Sequence, residues 1–287
     1  MLIPHRLKKL ERDERGRCWL ADLPRLVAEL TREWDLELGT AYEGASVSYV
    51  APVARGAERM VLKMQWPHDE SMYEADALLT WDGDGAVRLL AHDVGRHALL
   101  LERCSPGTRL GADDSIDQMA VMMGILPRLW KPAAAPFRSL TTEAKDWAAS
   151  LLPDWEVAGK PCERRLIDAA AGLISELADT QGDQVLVHQD LHGDNILSAE
   201  RQPWLVIYPK PLTGEREYSL APIIRSFEFG HSRAEVVGRL DRLSDELGLD
   251  RERARGWAVA QTVAWSFESD YAHRHYETAR WLLDGAE

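Results

Sequence analysis

The strand-forming residues of this chain are concentrated in residues 40–103. Two predicted strands, at about 46–53 and 58–65, flank a glycine-containing turn, which is typical of a hairpin. Two more flank a turn near Gly95, and from Gly107 onward the chain is mainly helical. Apolar residues three and four positions apart predict helices at 22–36, from about Asp69, and at 114–130, 140–152, 161–179, 218–229, 232–247, 250–268 and 270–284. Segregation of strands from helices indicates an α+β protein with a small strand-rich lobe and a larger helical lobe.

The segment "LLLERCSPG", residues 99–107, changes from apolar to polar and is the natural boundary between these parts. We therefore predict an N-lobe at residues 1–104, with an antiparallel sheet plus helices, and a mainly helical C-lobe at 105–287. A chain of 287 residues is long for one core and comfortable for two lobes. A cleft between two lobes is the default place for a ligand.

The composition excludes some classes of partner. The formal net charge of −13 argues against a nucleic-acid surface, which needs a basic face. The same acidity is compatible with a cationic ligand, although solubility alone also explains it. The three cysteines form no zinc motif or disulfide framework, and no apolar run approaches the ~20 residues that span a bilayer. We expect a cytoplasmic protein, monomeric or homodimeric, with no nucleic-acid or membrane partner.

The loop "HQDLHGDN", residues 188–195, lies between two apolar strands, "QVLVH" and "WLVIY". We expect the second strand, 204–208, to return alongside the first. One hypothesis is a transition-metal site built from His188, Asp190, His192 and Asp194. Four ligands so close on one segment rarely complete a tetrahedron, so this hypothesis is the weaker one. The alternative is phosphoryl transfer, because the spacing Asp190-x-x-x-x-Asn195 is that of a kinase catalytic loop.

The first half of the chain contains the other groups that phosphoryl transfer needs. Lys63 lies in an otherwise apolar strand, "MVLKMQW", and Glu74 follows on the next helix. A strand lysine and a helix glutamate hold the α- and β-phosphates in kinases. The turn "EGASVS", residues 43–48, offers backbone and hydroxyl donors to phosphates, although it is not a Walker A motif.

The segment "VHQDLHGDNIL…WLVIYPKPLTGEREYSLAPIIRS" resembles the aminoglycoside phosphotransferase superfamily, in particular its streptomycin kinase/hydroxyurea phosphotransferase branch. The segments "VLKM", "WDGDGAVRLL" and "LLLERCSPG" also resemble that branch, so the resemblance covers roughly residues 40–285. It implies a two-lobed protein-kinase-like fold that uses ATP and Mg²⁺.

The resemblance also implies roles for individual residues. Asp190 would be the catalytic base, and Asn195 a Mg²⁺ ligand. Lys63 would contact the phosphates, and Glu74 would orient Lys63. Ser46 and Ser48 would lie over the triphosphate. The backbone around Glu102 and Cys104 would bind adenine. The segment "AWSFESD" would line the acceptor site, where Glu268 and Asp270 could meet cationic groups of an antibiotic.

Two positions depart from the pattern of the branch. Tyr208 stands where the branch has a metal-binding aspartate, and a phenol with a pKa of ~10 is a poor Mg²⁺ ligand at neutral pH. Ser219 stands where the branch has an aspartate that would brace the catalytic loop. Either Asp194 or a glutamate within 215–217 supplies the missing charge, or catalysis is impaired.

These observations predict an ATP- and Mg²⁺-dependent phosphotransferase. Its acceptor would be a hydroxyl of a small, cationic natural product such as an aminoglycoside, in antibiotic resistance or secondary metabolism. The alternative is a catalytically impaired pseudokinase that binds nucleotide or ligand, because of Tyr208. The sequence does not name the acceptor or distinguish ATP from GTP.

Overall fold

The structure is a computed structural model, and the residues that it describes are 2–68, 71–112, 115–133, 135–267 and 269–284. The chain divides into two units by its internal contacts. The first unit comprises Met1–Thr108 and Leu197–Tyr208, and the second comprises Arg109–Ile196 and Pro209–Glu287. The functional division predicted at residue 104 stays a prediction. Within the described residues, no helix combines the length and apolar character needed to cross a membrane.

The first unit is built around one antiparallel sheet. Its elements are a 3₁₀ helix His5–Arg12, α1 (Glu14–Glu33), β1 (Glu37–Leu38), β2 (Ser48–Arg55), β3 (Glu58–Gln65), α2 (Glu74–Trp81), β4 (Leu89–Asp93) and β5 (Ala98–Glu102). The five strands follow the order β1-β2-β3-β5-β4. Both predicted hairpins, β2–β3 and β4–β5, are confirmed. Helix α1 begins earlier than predicted, because the Asp13 carboxylate accepts a hydrogen bond from Gly16 N and caps it.

The two faces of this sheet have different chemistry. Alternate residues of β2, β3 and β5 pack against the N-terminal helices in one apolar core, which includes Tyr49, Leu62, Met64 and Leu100. Because successive strand residues point to opposite faces, Lys63 lies on the other face. Ser48, which pairs with Gln65 in the register of β2 and β3, shares that second face. We call this second face the Lys63 face.

The second unit is mainly helical, as predicted. Its helices are a 3₁₀ helix Leu110–Ala112, α3 (Gln118–Leu129), α4 (Leu140–Val157), α5 (Arg164–Ala178), a 3₁₀ helix Gly193–Asn195, a 3₁₀ helix Arg216–Leu220, α6 (Ala221–Ile224), α7 (Arg233–Leu247), α8 (Arg251–Ala264) and α9 (Ala272–Asp284). Its strands are β6 (Val185–His188) and β9 (Pro211–Gly214). Between them in the chain, β7 (Ile196–Ser198) crosses into the first unit and β8 (Trp204–Val206) belongs to it. Every helix predicted beyond Gly107 has a counterpart, but that at 218–229 is much shorter than predicted.

The helix predicted at 218–229 ends early because its carbonyl groups find another donor. Arg239 is buried, and its guanidinium donates to the carbonyl oxygens of Ile224, Ser226, Phe229 and Gly230 at 3.0 to 3.2 Å. A helix end otherwise leaves such carbonyls unsatisfied. One arginine from α7 therefore holds the segment after α6 in a loop.

The strand pairing predicted around the catalytic loop is wrong. We expected residues 204–208 to run beside 184–188. Strand β6 instead pairs with β9, with His188 opposite Pro211, and β8 pairs with β7. Strand β8 also ends at Val206, so that Tyr208 lies beyond it, with a left-handed φ of 54°.

The second unit encloses a charged group that the sequence did not mark as structural. Glu215 is only 2% exposed. Its carboxylate accepts hydrogen bonds from Arg253 Nε at 2.9 Å and Nη2 at 2.8 Å, and from Trp257 Nε1. A buried carboxylate is tolerated only with such partners, so these contacts fix the 3₁₀ helix Arg216–Leu220 against α8.

Replacing Glu215 tests this constraint. We expect Glu215→Ala to lower the free energy of unfolding by about 3–5 kcal/mol, because the Arg253 charge loses its buried partner. Glu252→Ala removes an exposed carboxylate from the first turn of α8, next to Arg253. It should lower the free energy of unfolding by no more than about 1 kcal/mol. Denaturant unfolding of both variants measures the difference. Equal losses in the two variants would contradict the assignment.

Candidate active site

Lys63 and Glu74 form a buried ion pair on the Lys63 face. The Lys63 ammonium lies 2.7 Å from each oxygen of Glu74, the first residue of α2. Gln65 Nε2 donates to Glu74 Oε2 at 2.7 Å, so one oxygen accepts two hydrogen bonds. The structure therefore brings together the lysine and glutamate singled out in the sequence. Their role in nucleotide binding stays a prediction.

Burial acts on the two charges of this pair in opposite directions. Loss of water lowers the pKa of Lys63 and raises the pKa of Glu74. Their mutual attraction and hydrogen bonds oppose both shifts. Because the lysine can donate to both carboxylate oxygens at once, the geometry favours the charged pair.

Tyr208 covers the same lysine. The Lys63 ammonium lies 4.0 Å from the centre of the Tyr208 ring, which is a cation–π distance. The left-handed backbone at Tyr208 is one that asparagine and aspartate adopt more readily than aromatic residues do. The backbone conformation at position 208 therefore suits an aspartate, although the residue there is a tyrosine with a neutral ring.

Ser48 adds a polar group to the Lys63 face. It is 2% exposed, and within the described part of the chain its hydroxyl has no hydrogen-bond partner. A buried hydroxyl without a protein partner is free to bond to a water molecule or to a ligand. Ser46, two residues earlier in the turn, is half-buried. Both serines stay predicted phosphate-binding residues.

The residues predicted at the adenine end lie at the end of β5. The carboxylate of Glu102 accepts hydrogen bonds from Arg201 Nε and Nη2 at 2.8 Å and from Arg88 N at 3.0 Å. The Glu102 side chain therefore anchors residues of its own unit. Cys104 is partly buried, and burial raises the pKa of its thiol to about 12, so it is not a reactive thiolate. Adenine binding by the backbone here stays a prediction.

In the second unit, hydrogen bonds within the catalytic loop position Asp190. Its backbone N–H donates to His188 Nδ1 at 3.1 Å, and its carbonyl accepts from Asn195 Nδ2 at 2.9 Å. The amide nitrogen of Asn195 is thus used within the loop, and its side-chain oxygen is the atom that could act as a ligand. At the far side of the loop, Gly193 N donates to Glu228 Oε2 at 2.8 Å.

Two cations flank the Asp190 carboxylate. Lys210 Nζ lies 3.2 Å from one oxygen, and Arg225 Nη2 lies 3.7 Å from the other. Both cations also lie over the ring of Trp265, at 5.4 Å and 4.6 Å from its centre. Burial alone would raise the pKa of Asp190, but the charges of Lys210, His192 and Arg225 lower it overall. Asp190 is therefore ionised at neutral pH.

The four-ligand metal hypothesis does not agree with this geometry. Among the described residues, the His, Asp and Glu side chains close enough to share an ion are those of His192, Asp194 and Glu228. His188 and Asp190 are not part of that group. In addition, His192 Nδ1 lies 3.1 Å from Glu228 Oε1, and the exposed Asp194 lies 3.4 Å from Arg109.

The residues present do not fit the magnesium site of the pattern. Asn195 offers an amide oxygen, but Tyr208 offers a ring directed at Lys63. The carboxylates proposed as replacements are engaged elsewhere: Asp194 with Arg109, Glu215 with Arg253 and Trp257, and Glu217 with the backbone of Asp250. Mg²⁺ requires oxygen ligands in near-octahedral geometry and favours carboxylates.

The remaining predicted residues are placed as follows. Asp270 is exposed, and Glu268 lies outside the described residues. Ser219 is buried; it accepts from Trp130 Nε1 at 3.0 Å and donates to the Arg216 carbonyl. Its hydroxyl is therefore bonded to residues outside the 188–195 loop.

Several residues that contact this loop were not identified from the sequence. Gln261 of α8 donates to the Gln189 carbonyl at 2.9 Å and to the Tyr218 hydroxyl at 2.8 Å. Lys210, Arg225 and Glu228 were also not identified. A polar glutamine in the apolar stretch "WAVAQTVAW" was the one available signal for this group.

Solved kinases share this architecture. The choline kinase of Streptococcus pneumoniae superimposes with a TM-score of 0.66 at 16% identity, covering 91% of this chain and 99% of that kinase. An aminoglycoside phosphotransferase in ternary complex with ADP and hygromycin B superimposes with a TM-score of 0.64 at 14% identity, covering 91% and 98%. The fold is therefore the predicted α+β, protein-kinase-like fold.

Sequence relatives define the family. Residues 33–270 match the profile of the aminoglycoside/hydroxyurea antibiotic resistance kinases. A streptomycin 6-kinase of Streptomyces glaucescens is 38% identical, covering 90% of this chain and 88% of the relative. A hydroxyurea phosphotransferase of Kitasatospora aureofaciens is 38% identical, covering 88% and 76%. The chain belongs to this family of phosphotransferases, which use an alcohol group as acceptor, and the resemblance seen in the sequence is confirmed.

The contact between His192 and Glu228 predicts a titration. Burial would lower the pKa of His192, but Glu228, Asp190 and Asp194 raise it overall above 6.5. A raised pKa adds stability that is fully present below pH ~6.5 and is lost as the pH rises through the folded-state value. We expect Glu228→Gln to lower the pKa of His192, as measured by NMR titration. Glu176→Gln, on an exposed face of α5, should leave it unchanged.

The two cations beside Asp190 predict a second titration. We expect Lys210→Met to raise the pKa of Asp190, because it removes the nearest charge that opposes burial. Since the pKa of Asp190 is depressed in the native state, its contribution to stability is present above pH ~3.8 and is lost as the pH falls through the native value. Carboxyl-carbon NMR measures the shift. The control is Lys145→Met, which removes an exposed partner of Asp179. Equal pKa values of Asp190 in the two variants would contradict the prediction.

Proposed function

We propose that this chain is an ATP-dependent small-molecule kinase that modifies an antibiotic. The observation that carries the proposal is the buried Lys63–Glu74 pair, which shares a sheet face with the Ser48 hydroxyl. Among the described residues that hydroxyl has no hydrogen-bond partner, so the face offers donors to phosphates. Membership of the family of antibiotic resistance kinases supports it. ATP, rather than GTP, is part of the proposal.

Asp190 is the base in this proposal. The acceptor oxygen attacks the γ-phosphorus, the bond to the bridging β-phosphate oxygen breaks, and ADP leaves. The hydroxyl proton passes to a carboxylate oxygen of Asp190, which the flanking cations keep ionised beforehand. Asp190 is held for this task by its hydrogen bonds to His188 and Asn195.

The surroundings of Asp190 bear on the acceptor. The relatives are named for streptomycin and hydroxyurea, the first a guanidinium-bearing aminoglycoside and the second a small neutral molecule. Lys210 and Arg225 would repel a cationic group next to Asp190, so we propose that the reacting end of the acceptor is neutral. Cationic groups of an aminoglycoside would have to bind further away, for example at the exposed Asp270. Cytoplasmic location and a monomeric or homodimeric state remain predictions, whereas Tyr208 does not fit the Mg²⁺ site that the resemblance implies.

One observation favours a second candidate function. The Tyr208 ring occupies the side of Lys63 where the pattern places a metal-binding aspartate. A kinase without that carboxylate would lose part of its transition-state stabilisation. The second candidate is therefore a protein of the same fold that binds nucleotide or ligand without efficient catalysis.

A phosphorylation assay separates the two candidates. We expect mass spectrometry to show a phosphorylated product with ATP and at least one acceptor among streptomycin, hydroxyurea and hygromycin B. Asp190→Asn should reduce turnover by a factor on the order of 10²–10⁴, because it removes the base. Asp183→Asn, an exposed residue before β6, should not change turnover. Absence of product with every acceptor would favour the second candidate.

A further inference from the structure

The charge on the Lys63 face differs from that of a metal-dependent nucleotide site. Lys63 and Glu74 neutralise each other, and Tyr208 and Ser48 are uncharged. An aspartate at position 208 would face the phosphates with a like charge, and a divalent cation between the two anions would remove that repulsion. With a phenol at 208 there is no second anion to bridge.

We propose that Tyr208 makes nucleotide binding on the Lys63 face independent of magnesium. The inference rests on the proposed nucleotide binding, but it concerns how the phosphate charge is balanced. The Lys63 ammonium donates hydrogen bonds to both Glu74 oxygens, and the same ammonium lies over the Tyr208 ring. An incoming phosphate displaces the ring, and it exchanges a weak cation–π contact for a charge-assisted hydrogen bond.

Ser48 supports this exchange. Its buried hydroxyl lies on the same face and has no hydrogen-bond partner among the described residues. A phosphate oxygen would accept from it, which satisfies a buried hydroxyl that no described side chain or backbone group contacts. The phosphate would then be held by neutral and cationic donors of the chain itself.

The backbone at position 208 makes the substitution testable. Its left-handed φ of 54° suits aspartate and asparagine better than tyrosine, so neither replacement strains the chain. Tyr208→Asp adds a negative charge, and Tyr208→Asn gives the same backbone preference without the charge. Comparing the two variants isolates charge from shape.

The experiment is a calorimetric titration of the full chain with ATP and with its non-hydrolysable imido analogue, in excess Mg²⁺ and in EDTA. For the wild type and for Tyr208→Asn, we expect dissociation constants in the two conditions to agree within about threefold. For Tyr208→Asp, we expect binding at least about tenfold tighter with Mg²⁺ than with EDTA. Circular dichroism verifies that each variant is folded.

Each other result has a defined meaning. Wild-type binding that is about tenfold tighter with Mg²⁺ overturns the inference and leaves the proposed kinase function standing. Binding by Tyr208→Asp that is equal in both conditions overturns the role of position 208. If Tyr208→Asp does not fold, the wild-type comparison alone decides the inference. Absence of wild-type binding in both conditions overturns the proposed function itself, and with it the inference.

Discussion

The first unit depends on a buried ion pair between β3 and α2. Taking Lys63 and Glu74 out of water is costly, and hydrogen bonds to both carboxylate oxygens, with a further one from Gln65, offset that cost. Because neither charge can be removed without stranding the other, the pair fixes the start of α2 against the sheet. The same constraint presents Lys63 on a face that is free of the apolar core. The ion pair therefore fixes the position of the Lys63 side chain on the sheet.

The environment of Asp190, the proposed base in the second unit, differs from that of the Lys63–Glu74 pair. Asp190 is partly buried between Lys210 and Arg225, so two positive charges lie next to one negative charge. Both cations lie against Trp265, whose ring face attracts positive charge. The local excess of positive charge suits a reaction in which a phosphoryl group passes close to the base. The acidic composition of the whole chain gives no hint of this cationic neighbourhood.

Sequence reasoning identified the contacts that depend on residue type and short spacing. A lysine in an apolar strand needs a partner, and Glu74 is that partner; Asp190 and Asn195 are joined within one loop. It did not identify contacts made by residues distant in sequence, because periodicity carries no information about which elements meet. The pairing of β6 with β9 was missed for a related reason. Strand β8 is the more apolar candidate, whereas β9 contains proline and glycine and has a weak strand pattern.

The loop held by Arg239 has a consequence for the two side chains that it places beside the catalytic loop. The segment after α6 carries both Arg225, which lies beside Asp190, and Glu228, which contacts His192 and Gly193. A single guanidinium, that of Arg239, donates to the backbone carbonyls of the residues next to both. A change at position 239 would therefore act on the backbone next to both Arg225 and Glu228. The two side chains that face the 188–195 loop thus share one support.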